Sequence, residues 1–350
     1  MSPWHDFLRE RGASFADAAV SDFGDAAAEL GAARDTAVAC DLAPLGAIAV
    51  EGPDAATFLQ GQLTNDVTLL RPGAAQRSAW CSPKGRVLAD FLLRRSGEER
   101  FELLLPASLV EPVAKRLRMY VLRAKVRVAD LGGGTVRLGL GGPAAAACIA
   151  GTIGVTPPVL HSTAVEGATL IVLAENRFVL LAAPDAAPAL WDTLAARARP
   201  GGFACWQWLT VRAGVPVVTP ATQDAFIPQM LNLDALGALA FNKGCYTGQE
   251  IVARTQYLGR LKERLALAHV DAPPAAAGTR LFASAFGEQP CGTVINAAPA
   301  PAGGADLLAV AQTAALGDAL RLSAQDGPPL SLLTLPYAVP AAGERPGRRA

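Results

Sequence analysis

One phrase occurs twice in this 350-residue chain, and the repetition limits the possible folds more than any other feature. "AIAVEGPDAATFL" begins at Ala47 and "VRLGLGGPAAAACIA" at Val136. Each reads as an apolar strand, a Gly-Pro turn and an alanine-rich helix, with proline pre-organised for the helix start. A second phrase follows each copy. "RFELLLPASLVEPVAKRLR" starts at Arg100 and "RFVLLAAPDAAPALWDTLAAR" at Arg177, each a strand, a proline and an amphipathic helix. The order strand, helix, strand, strand, helix, strand makes an α+β module with an antiparallel sheet. Two ferredoxin-like modules are therefore expected, over about residues 45–130 and 135–260 of a region spanning 25–260, either in sequence or interleaved. The first copy holds the longer spacing between its markers, which places extra residues in Gln62–Arg95. Two facing modules leave a cleft, a common location for a ligand.

After Leu261 the texture changes. "LALAHV", "TRLFAS", "CGTVINA", "DLLAVAQ", "ALRLSA" and "LSLLTLPY" are short runs separated by Gly, Pro, Asp and Asn. They predict a small β-barrel over 261–338. The polar stretch 339–350 is expected to be a disordered tail.

Composition excludes several classes. Hydrophobic residues make up 51% and charged residues 18%, too apolar for a disordered chain. Lys and Arg (31) balance Asp and Glu (31), so no global field attracts nucleic acid or membrane. One local cluster, "AKRLRMYVLRAKVR" (Ala114 to Arg127), reads as a solvated helix face at least as well as an RNA-binding patch. Direct nucleic-acid binding is not expected. No run of about 18 strongly apolar residues predicts a membrane span, and the charged N-terminus lacks the apolar core of a secretory signal. The six cysteines never approach CxxC spacing, and none of the three histidines pairs with a Cys or carboxylate at ligand spacing. A protein-only zinc or iron–sulfur site is not expected, and scattered cysteines suit a reducing, cytoplasmic location.

The stretch with most chemistry is "FNKGCYTGQEIVAR", Phe241 to Arg254. "TGQE" matches a capping box, with Thr247 as N-cap and Glu250 reaching back to it. Gly244 is expected to let the backbone bend, and Gly259 to end the helix. Cys245 and Tyr246 then sit just before a helix N-terminus, which favours an anion by roughly 0.3–1 kcal/mol. With Lys243 alongside, Cys245 reads as a partly ionised nucleophile, or equally as a small residue packed at a tight turn. The same N-terminus and Lys243 could instead hold a carboxylate. In "CWQWLTVRAG", a strand reading puts Trp206 and Trp208 on one face as a stacking platform; the alternative is that they cap the core.

"KGCYTGQE" (Lys243 to Glu250) resembles the K-G-C-Y-x-G-Q-E signature of the YgfZ family, relatives of the glycine-cleavage T-protein aminomethyltransferases. "FLQGQLTNDV" (Phe58 to Val67), "RAGVPVV" (Arg212 to Val218) and "FIPQMLNLD" (Phe226 to Asp234) match in the same order, so the resemblance spans roughly residues 40 to 265. It implies a three-part ring around a central channel holding tetrahydrofolate or a one-carbon derivative. It also implies support of iron–sulfur enzymes as clients, including tRNA-thiolating ones, with Cys245 as the working residue. The folate-contacting residues it implies are Trp206 as the platform, Asp90, Arg212, Tyr246 and Gln249, with Lys243 and Arg254 for the anionic tail. Two positions depart from the transferases: Arg212 stands where they carry a Glu, and Ala89-Asp90 where they carry paired Asp. A folate-dependent one-carbon transferase is the alternative activity.

Overall fold

The computed structural model describes residues 2–258 and 261–340. Gly259, and all of the expected tail beyond Pro340, lie outside the described residues. No described helix is long and apolar enough to cross a membrane.

The chain begins with helix α1 (Pro3–Glu10), the short hairpin β1 (Ser14–Ala16) and β2 (Ala19–Asp22), helix α2 (Ala26–Asp35) and strand β3 (Val38–Asp41). Ser2 and Asp25 cap the two helices, each accepting from a backbone N–H one turn on. The first repeat is then β4 (Leu45–Glu51), α3 (Ala55–Gln60), β5 (Ala75–Cys81), β6 (Val87–Gly97), β7 (Arg100–Pro106), α4 (Ala107–Arg118) and β8 (Arg127–Asp130). Its antiparallel sheet has the order β5-β6-β7-β4-β8. The second repeat is β9 (Val136–Gly141), α5 (Ala145–Ile153), β10 (Ser162–Val165), β11 (Ala168–Ala174), β12 (Arg177–Ala182), α6 (Ala187–Ala195) and β13 (Arg199–Gly201). Its sheet runs β10-β11-β12-β9-β3-β13.

The two sheets differ in one way. In the first, β8 pairs directly with β4; in the second, β3 from the N-terminal segment lies between β9 and β13. The repeated Gly-Pro turns show why glycine is needed in both. Gly52 has φ +130°, and a Cβ there would lie 2.1 Å from the Lys125 carbonyl oxygen, just before β8. Gly142 has φ +116°, and its Cβ would lie 2.6 Å from the Thr36 carbonyl oxygen, just before β3. Thus β3 takes beside β9 the position that β8 takes beside β4.

Helix α7 (Phe203–Arg212) follows. The strand reading of "CWQWLTVRAG" is overturned here. Cys205, Trp206, Trp208, Leu209 and Val211 are all buried, so the helix is apolar on nearly every face. It packs against α2, β2, β3 and β9 and against the C-terminal sheet, and burial on most sides blurs the periodicity that would reveal a helix. An irregular segment then crosses back to the first repeat. Val87 exchanges backbone bonds with it (Val87 N–H to the Phe226 carbonyl, Asp224 N–H to the Val87 carbonyl, both 2.8 Å). Helix α8 (Gln249–Leu258) ends the segment.

The last unit is an antiparallel sheet of β14 (Glu263–Val270), β15 (Arg280–Phe282), β16 (Gly292–Pro299), β17 (Ala305–Gln312), β18 (Arg321–Leu322) and β19 (Leu330–Leu333), in the order β18-β15-β16-β17-β14-β19. It curls into a half-barrel. It is fastened to α7 by Trp208, whose Nε1–H donates to Asp306 Oδ2 at 2.8 Å. Trp208 is therefore a brace between units.

Candidate functional site

A cavity of about 430 Å³ opens where the three sheets meet. Strands β5, β6 and β7 contribute Arg77, Asp90 and Leu104; β11 and β12 contribute Leu173 and Arg177; α7 contributes Trp206, Gln207 and Thr210; β16 contributes Asn296. Its walls are mostly apolar with a few polar groups, the usual character of a small-molecule site.

Asp90 is held by the Val218 N–H, which donates to Oδ1 at 2.7 Å. Burial nonetheless pushes its carboxyl up to about 6, because desolvation outweighs that bond and the nearby Arg77 cation. Arg177 is 5% exposed. Its Nη2 donates to Thr210 Oγ1 at 2.7 Å, and its guanidinium lies 4.6 Å from the Trp206 ring centroid. Burial, then the Arg77 charge, pulls the guanidinium down to about 9. Its Nε has no hydrogen-bond partner among the described residues. A Cβ at Gly139 would lie 2.7 Å from an atom of the Trp206 six-membered ring, so glycine lets the ring seat against β9. Asn296 fixes the wall by exchanging bonds with Val217, accepting from its N–H at 2.8 Å and donating to its carbonyl at 2.9 Å.

Of the residues singled out from sequence, Asp90 and Trp206 line this cavity. Arg212 ends α7 with its guanidinium 3.6 Å from Asp306, and its side chain is half-exposed. It joins a cluster in which His269 Nδ1 also meets Asp306 Oδ1 at 2.8 Å. Arg254 is exposed on α8. Arg77, Arg177, Gln207 and Asn296 were not foreseen. For Arg77 the available signal was its place in the segment that lengthens the first repeat; for Arg177 it was the Arg-Phe pair itself, used only as a repeat marker.

The glycine–cysteine loop lies against the first repeat. Lys243 Nζ donates to three carbonyls, of Gln60 (2.9 Å), Leu63 (2.5 Å) and Asn65 (2.8 Å). All three ammonium protons are thereby engaged. Burial pulls this amine down to about 8, with Asp66 opposing. The "QGQLTND" stretch (Gln60 to Asp66) that supplies those carbonyls is shaped for it: Gln60 bonds to the Val67 N–H and to Asp66, and Asn65 Nδ2 donates to the Gly237 carbonyl at 2.9 Å. Lys243 also lies 5.1 Å from the Tyr246 ring centroid, and the Tyr246 phenol is buried and raised by desolvation. The capping geometry differs from the sequence reading. Gln249, not Glu250, reaches back, its Oε1 accepting from the Tyr246 N–H at 3.3 Å. Nor is Gly244 the residue at which the backbone requires glycine, since a Cβ there would meet nothing within 4 Å; that residue is Gly248, with φ +83°. Cys245 is exposed, and the other five cysteines are buried. No group of three or more His, Cys, Asp or Glu among the described residues could hold a metal ion.

Three sheets around a cavity, with a repeated α+β plan and a half-barrel, define the class. The chain belongs to the GCVT N-terminal domain family, whose model matches residues 5–239. It is 34% identical over 219 residues to the tRNA-modifying protein YgfZ of Cronobacter sakazakii, covering 62% of this chain and 66% of that protein. It is 35% identical over 219 residues to the protein of that name from Escherichia coli O157:H7, covering 62% and 67%. The matched region thus spans about two thirds of the length of these relatives. Among solved structures, the fold is similar to the glycine cleavage system aminomethyltransferase T from Bartonella henselae, with TM-score 0.78, 21% identity and 97% and 98% of the two chains covered.

Proposed function

We propose that this protein binds tetrahydrofolate, or a one-carbon derivative, in the central cavity and supports iron–sulfur enzymes, including those that modify tRNA, through the thiol of Cys245. In this reading the two repeats are ferredoxin-like modules, and with the half-barrel they form a ring whose channel is the folate site. The observation that carries it is the cavity itself: about 430 Å³ between three sheets, with an aromatic wall at Trp206 and a carboxyl at Asp90. A pterin needs a flat apolar surface and a polar partner for its edge, and these two residues offer both. When bound, the folate would supply one-carbon or redox chemistry. The chain's own residues orient it: Asp90 is anchored by Val218, and Arg177 holds the indole in place. The names of the YgfZ relatives support a connection to tRNA modification.

Calorimetry with tetrahydrofolate tests the cavity, and complementation of a deletion strain tests the thiol. Binding that Trp206→Ala weakens, with iron–sulfur enzyme activity lost in the deletion and restored by wild-type but not Cys245→Ser protein, is the expected result. Absence of folate binding together with full iron–sulfur activity in the deletion strain overturns the reading.

A second reading, a folate-dependent one-carbon transferase, is favoured by Asp90 alone, since a carboxyl raised to about 6 can exchange a proton near neutral pH. Labelled methylene or methyl transfer to an acceptor would support it; folate binding with no turnover would exclude it.

A further inference from the structure

The cationic run of α4 and the turn after it looks different once folded. Lys115, Arg116 and Arg118 are exposed at the end of α4, Arg123 and Lys125 on the turn that follows, and Arg127 at the start of β8. Among the described residues none of these six forms an ion pair. Between Glu111 and Asp130 the sequence contains no acidic residue. Two carboxylates across the sheet and turn have other partners. Glu51 pairs with Arg100, and Asp54 Oδ2 accepts from the Lys125 backbone N–H at 2.7 Å. A solvated face in a protein with no net charge ordinarily interleaves the two signs, and this one does not.

The same turn displays flat and apolar surface. Leu122 is 90% exposed and Met119 71%, and Tyr120 is exposed with its ring edge-on to Trp80 at 6.1 Å. Arg116 lies 5.5 Å from the centroid of that indole. Trp80 bridges to Leu63, whose carbonyl is one of the three that bind Lys243. A continuous chain of contacts thus connects this face to the loop of Cys245.

We propose that this face docks the phosphate backbone of an RNA, with Tyr120, Met119 and Leu122 offering contact to unstacked bases. Six exposed cations without an ion pair among the described residues suit a partner of high negative charge density, and a phosphate backbone has that density along its whole length. Aromatic and apolar side chains beside the cations are what single-stranded or looped RNA uses. The expectation from sequence that RNA binding is absent rested on reading the run as one solvated helix face; half of it lies beyond the helix, on a projecting turn. The inference does not depend on the folate reading.

The test is fluorescence anisotropy of the full chain with labelled, unfractionated tRNA across a potassium chloride series. We expect log affinity to fall against log salt with a slope steeper than about −3. The double variant Arg123→Glu/Lys125→Glu should lose at least about 30-fold at low salt, as removal of two contacts and their reversal implies. Lys262→Glu, an exposed reversal elsewhere, should change binding less than about 2-fold. An unchanged melting temperature shows that the double variant folds. Absent or salt-insensitive tRNA binding, or binding that the double variant leaves intact, overturns the proposal. So does a protein partner that the double reversal dislodges while tRNA fails to bind.

Discussion

Gly85 and Gly248 meet backbone to backbone. A Cβ on Gly248 would lie 2.8 Å from Gly85 Cα and 2.4 Å from the Ser82 carbonyl oxygen, and one on Gly85 would lie 3.1 Å from the Gly248 carbonyl oxygen. Both have positive φ, +68° and +83°. The turn between β5 and β6 is thereby pressed against the loop that carries Cys245, although the two are far apart in sequence. Two glycine-bearing motifs, "PKG" and "TGQE", are halves of one contact.

Gly248→Ala should therefore cost about 2–4 kcal/mol, combining a left-handed backbone with a clash against a carbonyl. Gly244→Ala, four residues earlier in open space, should change stability by less than about 0.5 kcal/mol. Urea denaturation of the two variants compares them directly. Equal losses would mean that the Gly85–Gly248 contact does not position the loop.

Lys243→Met should destabilise the fold by about 2–4 kcal/mol, because three carbonyls lose their donor together. The loss should appear with or without folate. A variant of wild-type stability that binds folate more weakly would instead place the amine on the ligand.

How far the sequence revealed this arrangement depends on where each signal resides. The repeat was legible because a Gly-Pro turn between a strand and a helix is a local signal, and both glycines prove to be pressed by a neighbouring carbonyl. Helix α7 was not legible. A helix buried on nearly every side shows little polar stripe, and alternating tryptophans then imitate a strand. Asp90 and Trp206 were found through family motifs. Arg77 and Arg177 lie on strands, and nothing local distinguishes a strand arginine facing a cavity from one facing water. Lys243 was noticed for its charge, but the carbonyl cage that engages it is built by residues more than half the chain away.

Cys245 should react first with iodoacetamide in the native protein, since it alone of the six cysteines is exposed. Mass mapping after brief alkylation reads this out. Cys245→Ser should shift stability by less than about 0.5 kcal/mol, because the side chain packs against little. A large loss of stability would make the thiol a packing residue, and its exposure would need another account.

Asp90→Asn separates the site's function from its stability. The wild-type carboxyl is raised from 3.8 to about 6 by burial. Well below pH 3.8 it is protonated both folded and unfolded, and it adds no pH-linked term. As pH rises from about 4 to 6 the unfolded chain ionises first, so wild-type stability falls. Above about pH 7 both states are ionised and the penalty is constant, about 1–3 kcal/mol for a shift of this size. Asparagine is neutral throughout and keeps an acceptor for the Val218 N–H. The variant should therefore match wild type near pH 4 and exceed it by about 1–3 kcal/mol at pH 7–8, while binding tetrahydrofolate more weakly. Denaturation curves across pH 4–8, paired with calorimetry at pH 7.5, test both halves. A stability difference that does not change with pH would show that Asp90 ionises freely in the folded cavity, and the carboxyl would then lose its claim to proton exchange near neutrality.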